Sequence, residues 1–294
     1  RDWQRLFGEG LVKSTEEFGT QGDWPSHPEL LDWLAVQFVK EGWDQKELIK
    51  LIVTSATYRQ DSRASTELLA RDRDNRLLAR GPRHRLDAEV IRDNAIAVSG
   101  LLLDKIGGPS VYPYHPKGLW LELNNRPGFS KPYPHGHATG EALYRRSLYT
   151  YWKRTVPPPS MSTFDAPERE FCLVRRSRTN TPLQAFVLLH DPQFVEAARQ
   201  LAAQMMAAAK DPTARIAHGF RIITARPPNA REQAVLQRLY AERLAFYKKN
   251  PKAAEALLAI GESKTPETLS AIEHAAWMTV ARAMMNLSET ITKN

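Results

Sequence analysis

A recurring way of starting helices limits what this chain can become. Ser26-His27-Pro28-Glu29 has the form of a capping box, in which a serine oxygen takes a free backbone N–H and the glutamate reaches back. Asp44-Gln45-Lys46-Glu47 and Asn229-Ala230-Arg231-Glu232 repeat that logic. Thr181-Pro182, Asp191-Pro192 and Thr265-Pro266 each set a cap before a proline, which suits the first helical turn. Apolar residues then recur at helical spacing. Leu30, Leu31, Leu34, Ala35, Phe38 and Val39 form one stripe, and Leu48, Ile49, Leu51, Ile52 and Ala56 form the next, which predicts an αα-hairpin broken at Gly42. A third helix is expected near 85–104, with Leu86, Val90, Ile91, Ala95, Val98, Leu101 and Leu102 inward. The later caps predict helices from Thr181, from Asp191 to about Ala209, from Asn229 to about Lys249, and from Thr265 to near Asn286. The 60–82 stretch reads as polar, and Lys248–Ala253 and Gly261–Lys264 read as connections.

The expected fold is therefore mainly α. It is a single multi-helix domain of about seven or eight helices spanning residues 1–294, with a small two-stranded β element. Residues 109–142, rich in Pro, Gly, Tyr and His, show no helical period and predict a long irregular excursion. Gly118–Leu123 and Arg145–Arg154 are the two candidate strands. The chain begins Arg1-Asp2-Trp3, without a methionine, and reads as an N-terminally truncated fragment of a larger multidomain protein.

Charge narrows the partners. The net charge is +8 at pH 7, which favours anionic partners. Residues 144–178 hold eight Lys/Arg against three Asp/Glu, so +5 of that excess lies in this one segment. One cysteine, Cys172, excludes an internal disulfide, a CxxC zinc pair and a haem-attachment motif within this chain. No apolar run approaches the ~20 residues that a membrane helix needs. No phosphate-binding glycine loop, nucleophile elbow or zinc-protease motif occurs. Nucleic-acid binding would rest on charge alone, without a DNA-reading helix, and is disfavoured.

The basic segment is the main candidate site. Arg145, Arg146, Lys153 and Arg154 alternate with Tyr149 and other aromatic residues, and Arg175, Arg176 and Arg178 follow. Guanidinium forks suit carboxylate, phosphate or sulfate, so two or three of them could line an anion or interface site. Most would instead be internal struts on carboxylates, with Asp87, Glu89 and Asp93 as the expected partners. His135 and His137 flank a glycine and could present imidazoles to a metal, although a polar loop explains them as well. His135, Asp165 and Tyr149 are the candidate acids or bases if the chain is an enzyme. Cys172 is expected to be a half-buried structural cysteine.

The ordered stretches WQRLFGEGLVKSTEEFGTQGDWPSHPELLDWLA, LIVTSATYRQ, RLDAEVIRDNAIAVSGLL, YRRSLYTYWKRT, FDAPEREFC, RRSRTNTPLQAFVLLHDPQFVEAAR and ARAMMNLSE carry a resemblance across the whole chain. The chain resembles the C-terminal domain of unknown function (PSD-type) of exported planctomycete proteins that often also carry a planctomycete cytochrome c (PSCyt-type) domain. It departs at His190, where the family pattern has asparagine. The resemblance implies export to the periplasm or cell surface. It also implies a c-type haem in another domain of the full-length chain, with no cofactor in this one. Other domains of the same protein and acidic or sulfated polysaccharide are the partners it suggests. On these grounds the expected function is that of an accessory or interaction module with an Arg-rich anion or interdomain site. The alternative is an enzyme acting on acidic or sulfated polysaccharide.

Overall fold

A computed structural model describes residues 1–116, 119 and 137–293. The described residues are mainly helical, and they divide into two compact units. The first takes the described residues of Arg1–Leu86, Cys172–Arg176 and Thr292–Asn294; the second takes those of Asp87–Phe171 and Ser177–Ile291.

The first unit contains α1 (Asp2–Phe7), α2 (Pro28–Lys40), α3 (Gln45–Thr54) and α4 (Thr66–Arg71). Its strand β1 (His84–Arg85) pairs antiparallel with β2 (Thr292–Lys293), in the register His84 to Lys293. Trp3 stacks on Phe7 at 4.1 Å between ring centroids, and Phe7 meets Tyr58 edge-on. Arg80, buried, holds a loop together through the carbonyls of Asp72 (2.9 Å) and Arg73 (2.7 Å). The Asp72 carboxylate takes the N–H groups of Arg76 and Leu77. Within residues 1–86 the buried hydrophobic side chains are Phe7, Leu11 and Ile52.

The expected hairpin is present as α2 and α3. Asp44 caps α3 by accepting from the Lys46 and Glu47 N–H groups. The Ser26 box does not form: its hydroxyl donates to the Leu11 carbonyl, and His27 stands at the cap of α2 with its ring on Ser26 Oγ and no side-chain bond to the helix. No side chain of α2 is fully buried, so its apolar stripe is largely open to solvent.

The second unit holds α5 (Ala88–Val98), α6 (Pro159–Thr163), α7 (Pro182–His190), α8 (Pro192–Ala208), α9 (Pro212–Thr224), α10 (Ala230–Lys249), α11 (Pro251–Leu258), α12 (Ala271–Met285) and α13 (Ser288–Ile291). α12 runs through its centre, packing on α8, α10 and α11. Ala275, Ala276, Trp277, Met278, Val280, Ala281 and Met284 have no exposed surface, the all-round apolarity of an interior helix. α8 answers with Ala197, Ala198, Leu201, Ala202 and Met205, small and flexible side chains that let two axes approach closely. Asn229 and Glu232 form the expected capping box of α10, and Asp191 caps α8.

Several boundaries differ from expectation. α5 is shorter than 85–104, and Val90 faces solvent. α9 and α11 add two helices, and α11 begins inside the stretch read as a connection. The last long helix starts at Ala271, after a turn, not at Thr265. Arg145–Arg154 is not a strand. It makes single parallel bridges at Arg145 (to Leu103) and Thr150 (to Val111), around a 3₁₀ turn at Ser147–Tyr149. The reason is local: the Ser147 N–H goes to the Asp93 carboxylate at 2.7 Å, so it cannot join a ladder. The two-stranded element is formed by β1 and β2. The candidate strand Gly118–Leu123 lies outside the described residues apart from Leu119.

Candidate functional site

The polar interior of the second unit grows from α5. Asp87 stands at its cap, and helical spacing then turns Ala88, Ile91, Arg92, Ala95 and Ile96 inward. Arg92 thus enters the core with its charge, 4% exposed. Its Nε donates to Gln193 Oε1 of α8 at 2.7 Å. Its Nη1 donates to the Arg145 carbonyl (2.8 Å) and Ser147 Oγ (3.1 Å), and its Nη2 to the Leu143 carbonyl (2.8 Å). Asp93 lies 3.4 Å from Nη1 and accepts from Ser147 Oγ and N–H. Burial pulls the Arg92 pKa down to about 10, against the opposing pull of Asp93 and Asp191. One guanidinium therefore fixes the path of 143–147 over α5 and α8.

Arg145, the next guanidinium, is also an internal strut, but its partners are not carboxylates. It is 5% exposed and donates to the carbonyls of Lys105 (2.9 Å), Pro109 (3.2 Å) and Gly107. The Tyr149 ring lies 3.7 Å from its guanidinium carbon, and the Tyr149 hydroxyl accepts the Gly107 N–H at 2.7 Å. Tyr149 is thereby committed to holding the Leu103–Val111 turn. Of the expected carboxylates, Asp93 serves Arg92 and Ser147, while Asp87 and Glu89 sit at the half-buried start of α5.

The remaining cations lie toward the surface. Arg146 pairs with Asp104 at 3.0 Å, an exposed ion pair of small energetic weight. Lys153 is half-buried and Arg154 exposed. Arg175 and Arg176 fall in the first unit, and Arg178 in the second. Every residue from Phe171 to Leu183 except Arg176 is exposed, including Cys172, so the expectation of a half-buried cysteine is corrected. This stretch has no helix or strand before α7 and bends at Phe171, Val174 and Arg175.

Asp165, at φ +58°, accepts the Thr179 N–H (2.8 Å) and hydroxyl (2.9 Å), which ties the end of α6 to the approach to α7. His135 lies outside the described residues. His137 packs 4.9 Å from the Tyr114 ring, with Nδ1 donating to the Ala138 carbonyl and lying 3.5 Å from Glu262. Among the described residues, no three metal-ligating side chains converge.

A second polar cluster was missed by sequence reasoning. Glu196 of α8 is fully buried and accepts the hydroxyls of Tyr144 (2.9 Å) and Tyr114 (3.0 Å), together with the Ser263 N–H. Arg199, one turn on, donates to the carbonyls of Leu258 and Ser263 and lies 3.4 Å from Glu196. Burial and the Glu196 carboxylate push both tyrosine hydroxyls well above their usual range, which favours the protonated, donating form. The signal was present: Glu196 and Arg199 interrupt an alanine-rich stripe, as Arg92 interrupts an apolar one. A charge on a buried stripe requires partners from elsewhere in the chain.

These features define a class: a mainly helical protein whose irregular segments are pinned to the bundle by buried arginines and one buried glutamate. The chain belongs to the PSD1 family, described as protein of unknown function (DUF1553), whose family model matches residues 1–240. Neither curated proteins nor solved structures gave a match. Among the described residues, no helix is long and apolar enough to cross a membrane.

Proposed function

We propose that this chain is an accessory interaction module of an exported multidomain protein, and that it presents Phe171–Arg178 to an acidic surface. The observation that carries this reading is the exposure of that run. Phe171 is 67% exposed, and Leu173, Val174, Arg175 and Arg178, which follow it in the sequence, are exposed as well. Apolar and guanidinium groups on one exposed segment suit a partner that offers both apolar contact and carboxylates or sulfates. Arg145 and Arg146 leave the site proposed from the sequence, because the first is inside and the second is paired with Asp104. Other domains of the same protein and acidic or sulfated polysaccharide are the partners this surface fits. The enzyme alternative gains nothing from Tyr149 or Asp165, both engaged as structural ties.

Chromatography on immobilised dextran sulfate tests the charge half of the reading. The unaltered chain is expected to be retained at low salt, and Arg175→Ala with Arg178→Ala to elute at clearly lower salt. Flow-through of the unaltered chain, or identical elution of both proteins, would overturn it.

A further inference from the structure

The hairpin of the first unit carries a groove that none of the described residues fills. It encloses about 240 Å³ between α2 and α3 and is lined by Trp33, Phe38, Leu48 and Leu51 on its floor and sides. Glu41, Asp44 and Glu47 line the same groove. Trp33 is 48% exposed and Leu51 40%. The hairpin residues 28–55 contain Glu29, Asp32, Glu41, Asp44 and Glu47 against Lys40, Lys46 and Lys50, a balance of −2 in a chain of +8. The acidity is therefore local. Asp44 is partly engaged in capping α3, and Glu47 meets Lys50 at 3.3 Å, which leaves Glu41 as the carboxylate without a described ionic partner.

The same chain displays the complement. Leu173 and Val174 are exposed, as is Arg175, so two apolar side chains directly precede a cation in a segment without helix or strand. Both halves are open to solvent in the single chain, so the pairing is not made within it. We infer that two copies of this chain associate by seating Leu173–Arg176 of one in the α2–α3 groove of the other. Leu173 and Val174 cover Trp33, Phe38 and Leu51, and Arg175 meets Glu41. This rests on the reading of Phe171–Arg178 as an interface and names the acidic surface it meets. Three features favour a second copy as the occupant. The charges are opposite, both surfaces combine apolar with ionic groups, and a groove of this volume takes one or two aliphatic side chains. A contact so small gives weak association unless it is made twice, as reciprocal exchange in a two-fold dimer would make it.

Sedimentation velocity of the purified chain from about 5 to about 200 µM, at low and at high salt, tests the inference. The expected result is a weight-average mass that rises with concentration and falls with added salt. Glu41→Lys with Glu47→Lys, both at exposed positions, and separately Arg175→Glu, should each reduce the association constant at least about tenfold. An equimolar mixture of the two variants should recover it, because each supplies the complement of the other. A monomer at every concentration, an association indifferent to both variants, or a mixture that fails to recover would overturn the proposal. Retention on dextran sulfate separates the two levels. A chain that is retained but stays monomeric keeps the interface and loses the second copy as its occupant, whereas a chain that is neither retained nor self-associating loses both.

Discussion

Replacing Arg92 by methionine should cost far more than the same change at Arg145, although both arginines are buried. Besides the Ser147 hydroxyl, which also bonds Asp93, Arg92 serves three acceptors inside the second unit: Gln193 Oε1 and the carbonyls of Leu143 and Arg145. Methionine would fill the volume but leave those acceptors dry and unpaired, at about 1–3 kcal/mol each, or roughly 3–9 kcal/mol together. Against this stands the relief of a buried charge. The fall of the Arg92 pKa to about 10 corresponds to about 3 kcal/mol of burial cost that the variant escapes. The expected net loss is about 3 kcal/mol. The acceptors of Arg145 lie on Lys105, Gly107 and Pro109, all exposed residues, so water can replace the guanidinium there. Losing those bonds and the Tyr149 stack should cost about 1–2 kcal/mol. Urea unfolding followed by far-UV circular dichroism, with the slope m compared between proteins, gives both values. Thermal melting should place Arg92→Met about 6–12 °C below the unaltered chain. If the two variants fall within about 0.5 kcal/mol of each other, the distinction between dry and wettable acceptors fails.

Two further outcomes follow from the Glu196 cluster. Gly261 has φ +88°, and a methyl group there would lie 2.4 Å from the Glu196 carboxyl carbon, whereas Gly42 at φ +68° faces open space. Gly261→Ala should therefore lose more than about 2 kcal/mol and Gly42→Ala about 1 kcal/mol in the same urea assay, and equal losses would count against the packing argument. His274 is fully buried, donates from Nε2 to the Arg199 carbonyl, and is held below its usual pKa, first by burial. A lowered folded pKa means that the unfolded chain binds the extra proton first. Stability is then lost as pH falls below about 6.5, by at most about 1.4 kcal/mol per pH unit, and levels off beneath the folded pKa. His274→Gln should flatten that limb of a stability–pH curve between about pH 5 and 6.5, and an unchanged slope would show that other groups set it.

The helices were readable where their starts are chemical and local. Asp44, Asp191 and Asn229 cap as their sequences imply, because the acceptor and the N–H groups it serves lie within three residues. Asp211-Pro212 and Asn250-Pro251 carry the same signal for α9 and α11, and the second lies within the stretch read as a connection. Ser26 shows the limit: its hydroxyl had a competing acceptor, the Leu11 carbonyl, that no local rule could reveal. The pairing of His84–Arg85 with Thr292–Lys293 spans almost the whole chain and leaves no local trace. The candidate site was half legible. The run YRRSLYTYWKRT announced guanidinium groups and rings, and Arg145 over Tyr149 is what they make. The acceptors of Arg145 are backbone carbonyls, which every residue possesses and no side-chain pattern marks. Arg92 and Glu196 were the positions to suspect, since each places a charge where the helical period demands an apolar residue.

The family match ends at residue 240, within α10, yet α12 lies beyond it and fills the middle of the second unit. The stretch that the family model matches is therefore shorter than the unit that packs around α12. A gene fragment trimmed at the edge of the similarity would leave the alanine face of α8 bare. Fragment boundaries for expression should therefore be drawn after Lys293, so that both the interior helix and the closing strand are kept.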